Sequence, residues 1–116
     1  MADNRPTLEA GAKYDGEKNR LDLLPFDALV EVGTVYTLGA RKYADRNWEK
    51  GISYMRICGA LLRHLFAWLL GEQRDPENGQ LHMASVAWNA LALLSFELRG
   101  MNGGEFDDRV ISSNNR

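Results

Sequence analysis

SYMRICGALLRHLFAWLLG, running from Ser53 to Gly71, decides the fold class. Ser53 is a favoured helix N-cap, and Gly71 is the residue that ends a helix most easily because it enters the left-handed region without a Cβ penalty. Between them Leu61, Leu62, Leu65, Phe66 and Leu69 recur at helical spacing and form a wide apolar face. Arg63 and His64 interrupt the run, so it is not a membrane span.

Two more helices fit outward from this one. On the N-terminal side, Pro25 marks the first turn of a helix that predicts its end near Tyr43, before Asp45-Arg46-Asn47. Leu29, Val32, Tyr36 and Gly39/Ala40 form its buried stripe, with Asp27, Glu31 and Thr34 on the neighbouring one. On the C-terminal side, Glu72 to Gln80 reads as a loop, punctuated by Asp75-Pro76 and Asn78-Gly79. A third helix is expected from about Leu81 to Arg99, stopped by Gly100. It is apolar on nearly every side, so a second subunit is expected to cover what its own chain leaves open. No long stretch alternates polar and apolar residues, and strands are not predicted.

With 116 residues, 45% of them hydrophobic and 26% charged, the chain fits one globular domain. Three regions are expected: an irregular arm over 1–24 that covers a ligand, a helical catalytic domain over 25–100, and a polar tail over 101–116. A net charge of −2 argues against a duplex nucleic-acid binder, which normally carries a basic face, but not against the few cations that hold one nucleotide. The single cysteine, Cys58, forms no internal disulfide. The first residues lack an apolar stretch, so no signal peptide or membrane association is expected. The expected compartment is cytoplasmic, the host cytoplasm if a phage encodes the chain.

Candidate chemistry lies in polar groups set on apolar helices, since burying them costs free energy unless something satisfies them. Glu31 reads either as a solvated glutamate or as a ligand. His64 shares a face with Trp68 and is a core histidine or a site residue; Arg63 suits a carboxylate or a phosphate. His82, Ser85 and Asn89 make a polar seam at i, i+3 and i+7 of the third helix. Glu72, Asp75 and Glu77 crowd one loop, as a solvated loop or as an oxygen-rich cation site of the type that suits Mg²⁺ or Mn²⁺. The arm concentrates Lys13, Lys18 and Arg20 around Tyr14 and Asp15. There is no Gly-x-Ser-x-Gly elbow, Walker loop, His-Glu-x-x-His pair or Cys pair.

These residues resemble a known family. Gly11-Ala12-Lys13-Tyr14-Asp15, Lys18, Arg20, Asp22-Leu23-Leu24-Pro25, Ala28-Leu29 and Glu31-Val32 carry its opening. Gly39-Ala40, Lys42-Tyr43, Asn47-Trp48, Gly51, Arg63-His64-Leu65, Ala67-Trp68, Gly71-Glu72, Asp75, Glu77, Gly79, His82 and Asn89-Ala90-Leu91 continue it. The pattern is similar to that of phage and bacterial dATP/dGTP diphosphohydrolases of the MazZ type, a branch of the MazG-like pyrophosphohydrolases. It implies an all-α, MazG-like bundle completed by oligomerisation into a dimer or tetramer. It also implies Mg²⁺- or Mn²⁺-dependent hydrolysis of dGTP or dATP to the monophosphate and pyrophosphate. By that resemblance Glu31, Asp75 and His64 are the catalytic candidates. Glu31, Glu72, Asp75, Glu77, His82 and Asn89 are the metal candidates. Lys13, Tyr14, Asp15, Lys18, Arg20, Lys42, Asn47, Trp48 and Arg63 are the substrate-binding candidates. Val30 and Thr34 depart from the Glu-Glu-x-x-Glu motif usual in such enzymes, and Ser85 stands where many relatives carry histidine. A non-catalytic helical nucleotide-binding or interaction module is therefore the competing expectation.

Overall fold

The computed structural model describes residues 11 and 16–110 and is all-α, with no strand among those residues. Helix α1 spans Phe26–Lys42, α2 Tyr54–Leu69 and α3 His82–Leu98, with short 3₁₀ turns at Leu21–Leu23 and Asn47–Lys50. No helix among them is long and apolar enough to cross a membrane.

Each helix ends where local chemistry stops it. Pro25 is the N-cap of α1, its carbonyl accepting from Leu29 N at 3.0 Å, with Asp27 in the first turn and Arg41 and Lys42 in the last. Those charges complement the helix dipole at both ends. Ser53 caps α2, its Oγ accepting from Arg56 N at 3.3 Å. After α2, Gly71 turns left-handed (φ +100°), Gly71 N donates to Trp68 O, and Glu72 N donates to Ala67 O. The same six-to-one and five-to-two pattern follows α3, where Gly100 (φ +75°) donates to Glu97 O and Met101 N donates to Phe96 O. Both are Schellman turns, which satisfy carbonyls that the helix end leaves without partners. The hydrophobic contact that accompanies such turns is present at α3, where Met101 packs on the Phe96 cluster.

Helix α3 is central: α2 packs along it antiparallel, so that Tyr54 stacks on Phe96 at one end and His64 meets His82 at the other. Helix α1 packs on it through Tyr36, whose ring lies 5.8 Å from that of Trp88. The core is Tyr54, Ile57, Ala92 and Phe96, surrounded by Trp48, Ile52, Trp88, Leu93, Met101 and Phe106. Residues 101–110 return to α2: Tyr54 N donates to Phe106 O at 2.9 Å, and the Asp108 carboxylate accepts from Ser53 Oγ and Met55 N.

Five of the six buried residues of α3 form one stripe, His82, Ser85, Asn89, Ala92 and Phe96, and the sixth, Ala84, lies beside it. The stripe's apolar half makes the core, while its polar half faces the cleft between the helices.

Candidate metal centre in the interhelical cleft

The polar end of that stripe has to be satisfied, and two side chains from elsewhere do it. His82 is 3% exposed; its Nε2 lies 2.8 Å from Glu72 Oε1 and its Nδ1 lies 2.9 Å from His64 Nδ1. An ionised carboxylate only accepts, so His82 Nε2 carries the proton and its Nδ1 lone pair is turned towards His64. The Schellman turn after α2 fixes the backbone of Glu72, and helix α2 carries His64 on its inner face.

Asp75 completes the cluster. One nitrogen of His64, one of His82 and one carboxylate oxygen of Asp75 all lie within 4.8 Å of one another. The loop that presents Asp75 is pinned on both sides: Asp75 N donates to Gln80 O at 2.8 Å and His82 N donates to Gln73 O at 3.0 Å. Arg74 and Leu81 form an isolated antiparallel bridge between the two arms. Within the loop, Asp75 Oδ1 accepts from Glu77 N and Asn78 Oδ1 from Gln80 N, the local side-chain bonds that make Asx turns. Gln80 Oε1 also accepts from Thr34 Oγ1 at 2.7 Å, which ties the loop to α1.

Burial pushes the His64 ring below its ordinary value of 6.5, and the neighbouring Arg63 and His82 act in the same direction, against Asp75. A neutral imidazole is the form that coordinates a metal or accepts a proton.

The cluster lines a cleft of about 1190 Å³. Of the residues named from the sequence, Lys42, Asn47, Trp48, Arg63, His64, Glu72, Asp75, Glu77, His82 and Asn89 all line it. Asn89, which lines the cleft, uses its Nδ2 to reach Ser85 O at 2.7 Å, a bond within α3. Trp48 belongs to the core as well as to the cleft, with Tyr36 and Phe96 rings about 6 Å away and the Arg99 guanidinium 5.3 Å from its centroid. Lys42 is exposed, with Nζ 5.3 Å from the Tyr43 ring.

Other candidates stand apart. Glu31 is exposed on α1, one turn before Thr34, and does not line the cleft. Arg20 is engaged with Asp22 through two 2.8 Å bonds, and its guanidinium holds the Asp22 carboxyl below the usual range. Arg20 and Lys18 lie outside the cleft lining. Lys13, Tyr14 and Asp15 fall outside the described residues. Sequence reasoning read Tyr36 and Trp88 as packing residues alone, yet both also line the cleft. Their spacing on α1 and α3 marks them as core, and only the packing of the two helices opens one edge of each to the cleft.

A family model described as "dATP/dGTP diphosphohydrolase, N-terminal" matches residues 8–109. The chain is similar to a protein of Salmonella phage PMBT28 named dATP/dGTP diphosphohydrolase, 32% identical over 99 residues. That alignment covers 85% of this chain and 33% of the phage protein, so the chain spans about a third of the relative's length. No solved structure matches the chain.

Proposed function

The chain belongs to the dATP/dGTP diphosphohydrolase family, matched by its N-terminal model, and from that premise we propose that it takes part in hydrolysing a purine deoxynucleoside triphosphate to the monophosphate and pyrophosphate. The observation that carries this reading is the meeting of His64, Asp75 and His82 from two helices and a loop, on the wall of a cleft wide enough for a nucleotide. Two imidazoles and a carboxylate within reach of one another are a donor set that fits a divalent cation. A bound ion, Mg²⁺ or Mn²⁺ in the first instance, would acidify an attacking water and offset charge on the phosphate oxygens.

The side chains have distinct tasks in this proposal. Asp75, His64 and His82 hold the ion, with Glu72 orienting His82 and Glu77 and Asn89 at the margin. Arg63 and Lys42 meet the triphosphate, for which guanidinium and ammonium groups supply charge-assisted hydrogen bonds. Asn47 and the exposed edge of Trp48 flank the base. Lys13, Tyr14, Asp15, Lys18 and Arg20 of the arm are proposed as further substrate contacts. Glu31 is offered as a further ligand or water activator that the cleft of one chain does not include. We also propose that the working form is a dimer or tetramer.

The second reading is a non-catalytic nucleotide-binding module. It is favoured by the exposure of Glu31 and its position outside the cleft lining.

Incubation of the chain with each deoxynucleoside triphosphate and Mg²⁺ or Mn²⁺, followed by measurement of pyrophosphate, separates the two. The enzyme reading expects release from dGTP or dATP, abolished in Asp75→Asn and Glu31→Gln with the fold retained. An unchanged rate in Glu31→Gln removes that residue from the site. Binding without pyrophosphate supports the module, and is visible as thermal stabilisation because ligand at 100 times its Kd adds about 2.7 kcal/mol.

A further inference from the structure

We infer that the His64–Asp75–His82 group is a selective site for a six-coordinate divalent transition ion of the Mn²⁺, Co²⁺ or Ni²⁺ kind, in preference to Mg²⁺. The inference deepens the reading above, since it concerns the same site, but its test needs no nucleotide.

Three observations carry it. The first is the donor set. Two of the three donors are imidazole nitrogens, whereas Mg²⁺ prefers oxygen ligands and retains most of its water. Imidazole affinity rises from Mn²⁺ through Co²⁺ to Ni²⁺ along the Irving–Williams order. The second is separation. The two Nδ1 atoms lie 2.9 Å apart. Donors at right angles on an ion with bonds of about 2.1 Å lie about 3.0 Å apart, and tetrahedral donors lie farther apart. An octahedral ion fits this nitrogen separation once His64 carries its proton on Nε2 instead of Nδ1 and the two rings turn their lone pairs from each other towards the ion.

The third is support behind the donors. His82 is buried and its far nitrogen is held by Glu72, the carboxylate–histidine pairing that orients metal-binding imidazoles. Glu72 fixes the tautomer that leaves Nδ1 free to coordinate, and it acts as a positioning residue because its carboxylate touches His82. Three protein donors leave the cleft side open for water or phosphate oxygens.

The experiment is calorimetric titration of the full chain, prepared without a polyhistidine tag, with Co²⁺, Mn²⁺ and Mg²⁺ separately. The expected result is one Co²⁺ per chain, bound at least about 100-fold more tightly than Mg²⁺. His64→Asn and Asp75→Asn are expected to weaken Co²⁺ at least tenfold. These half-buried positions are used because His82→Ala disturbs a buried residue; far-UV circular dichroism checks the fold of each variant. Glu72→Gln is expected to lose about 10–100-fold in Co²⁺ affinity, with the metal-free Tm unchanged and the His82 ¹⁵N signals showing a mixed tautomer. Cys58→Ser, which removes the single thiol, is expected to bind Co²⁺ as before.

Mg²⁺ binding within tenfold of Co²⁺, Co²⁺ affinity unchanged in folded His64→Asn, or Co²⁺ lost in Cys58→Ser would each overturn the inference. Tight Co²⁺ binding by a chain that releases no pyrophosphate leaves the inference standing and rejects the catalytic reading alone.

Discussion

At Gly51 a single methyl group has nowhere to go. The backbone there is left-handed (φ +105°), and a Cβ would fall within 2.6 Å of the Cδ2 and Cζ atoms of Phe106. Phe106 is tied at its backbone, where its carbonyl accepts from Tyr54 N, and its partly buried ring packs against the core, so a retreat disturbs that packing. Gly51→Ala therefore adds backbone strain to overpacking, and is expected to destabilise the fold by about 3 kcal/mol. Urea denaturation checks this, and a midpoint equal to that of the parent chain would show that the Phe106 contact gives way freely. The same scale explains why the candidate metal cluster was only partly legible in the sequence. The His82, Ser85 and Asn89 seam follows from helical spacing alone. That His64 meets His82 nitrogen to nitrogen does not, since it depends on the register of α2 against α3. Glu72 is still less legible, because a Schellman turn rather than a helix aims it at His82.

Helix ends were readable because caps act locally. Ser53, Gly71 and Gly100 mark their boundaries to within a residue. The docking of residues 101–110 was not readable, because Met101 and Phe106 are isolated apolar residues with no period to betray a buried face. What holds this segment is electrostatic as well as apolar. Hydrogen bonds from the Ser53 hydroxyl, then from Met55 N, hold the Asp108 carboxyl below its ordinary value of 3.8. The Arg109 guanidinium holds Asp107 lower still, helped by the backbone amides of Gly103 and Arg109 and against the cost of burial. A carboxyl whose pKa is depressed by folding contributes stability that is fully present above the unfolded value and is lost as pH falls through the folded one. Stability is thus expected to hold from neutral pH to about pH 5 and to fall steadily below about pH 4. Asp108→Asn is expected to lower the urea midpoint at pH 7, with the difference from the parent shrinking by pH 3. Parallel curves for the two chains across that range would show that Asp108 draws nothing from its charge.

For the molecule as a whole, the decisive feature is how much apolar surface one chain leaves open. On α3, Met83, Ala87, Ala90, Leu94 and Leu98 recur along one outward stripe, with Leu94 at 49% and Leu98 at 78% exposure. On α2, Leu62, Phe66 and Leu69 are exposed as well, as is Leu70 at its C-cap. Scattered exposed leucines are ordinary, whereas continuous apolar stripes on two adjacent helices are the kind of surface an interface uses. The sequence carries the same pattern, since α3 is apolar on nearly every side, whereas its own chain buries the stripe from His82 to Phe96 and Ala84 beside it. The core of one chain is correspondingly small, with six buried apolar residues among those described. A second copy is the occupant consistent with the proposed dimer or tetramer, and the expected state in solution at about 10 µM is therefore oligomeric. Leu94→Glu with Leu98→Glu places two charges on the stripe without touching the metal cluster, and like charges facing each other across a two-fold interface repel. Light scattering after size-exclusion chromatography is expected to show the double variant as a monomer that still binds Co²⁺. A parent chain that elutes as a monomer at that concentration would remove the second copy from the account of this face. A double variant that remains oligomeric would move the interface to α2, where Phe66→Glu becomes the substitution that separates the copies.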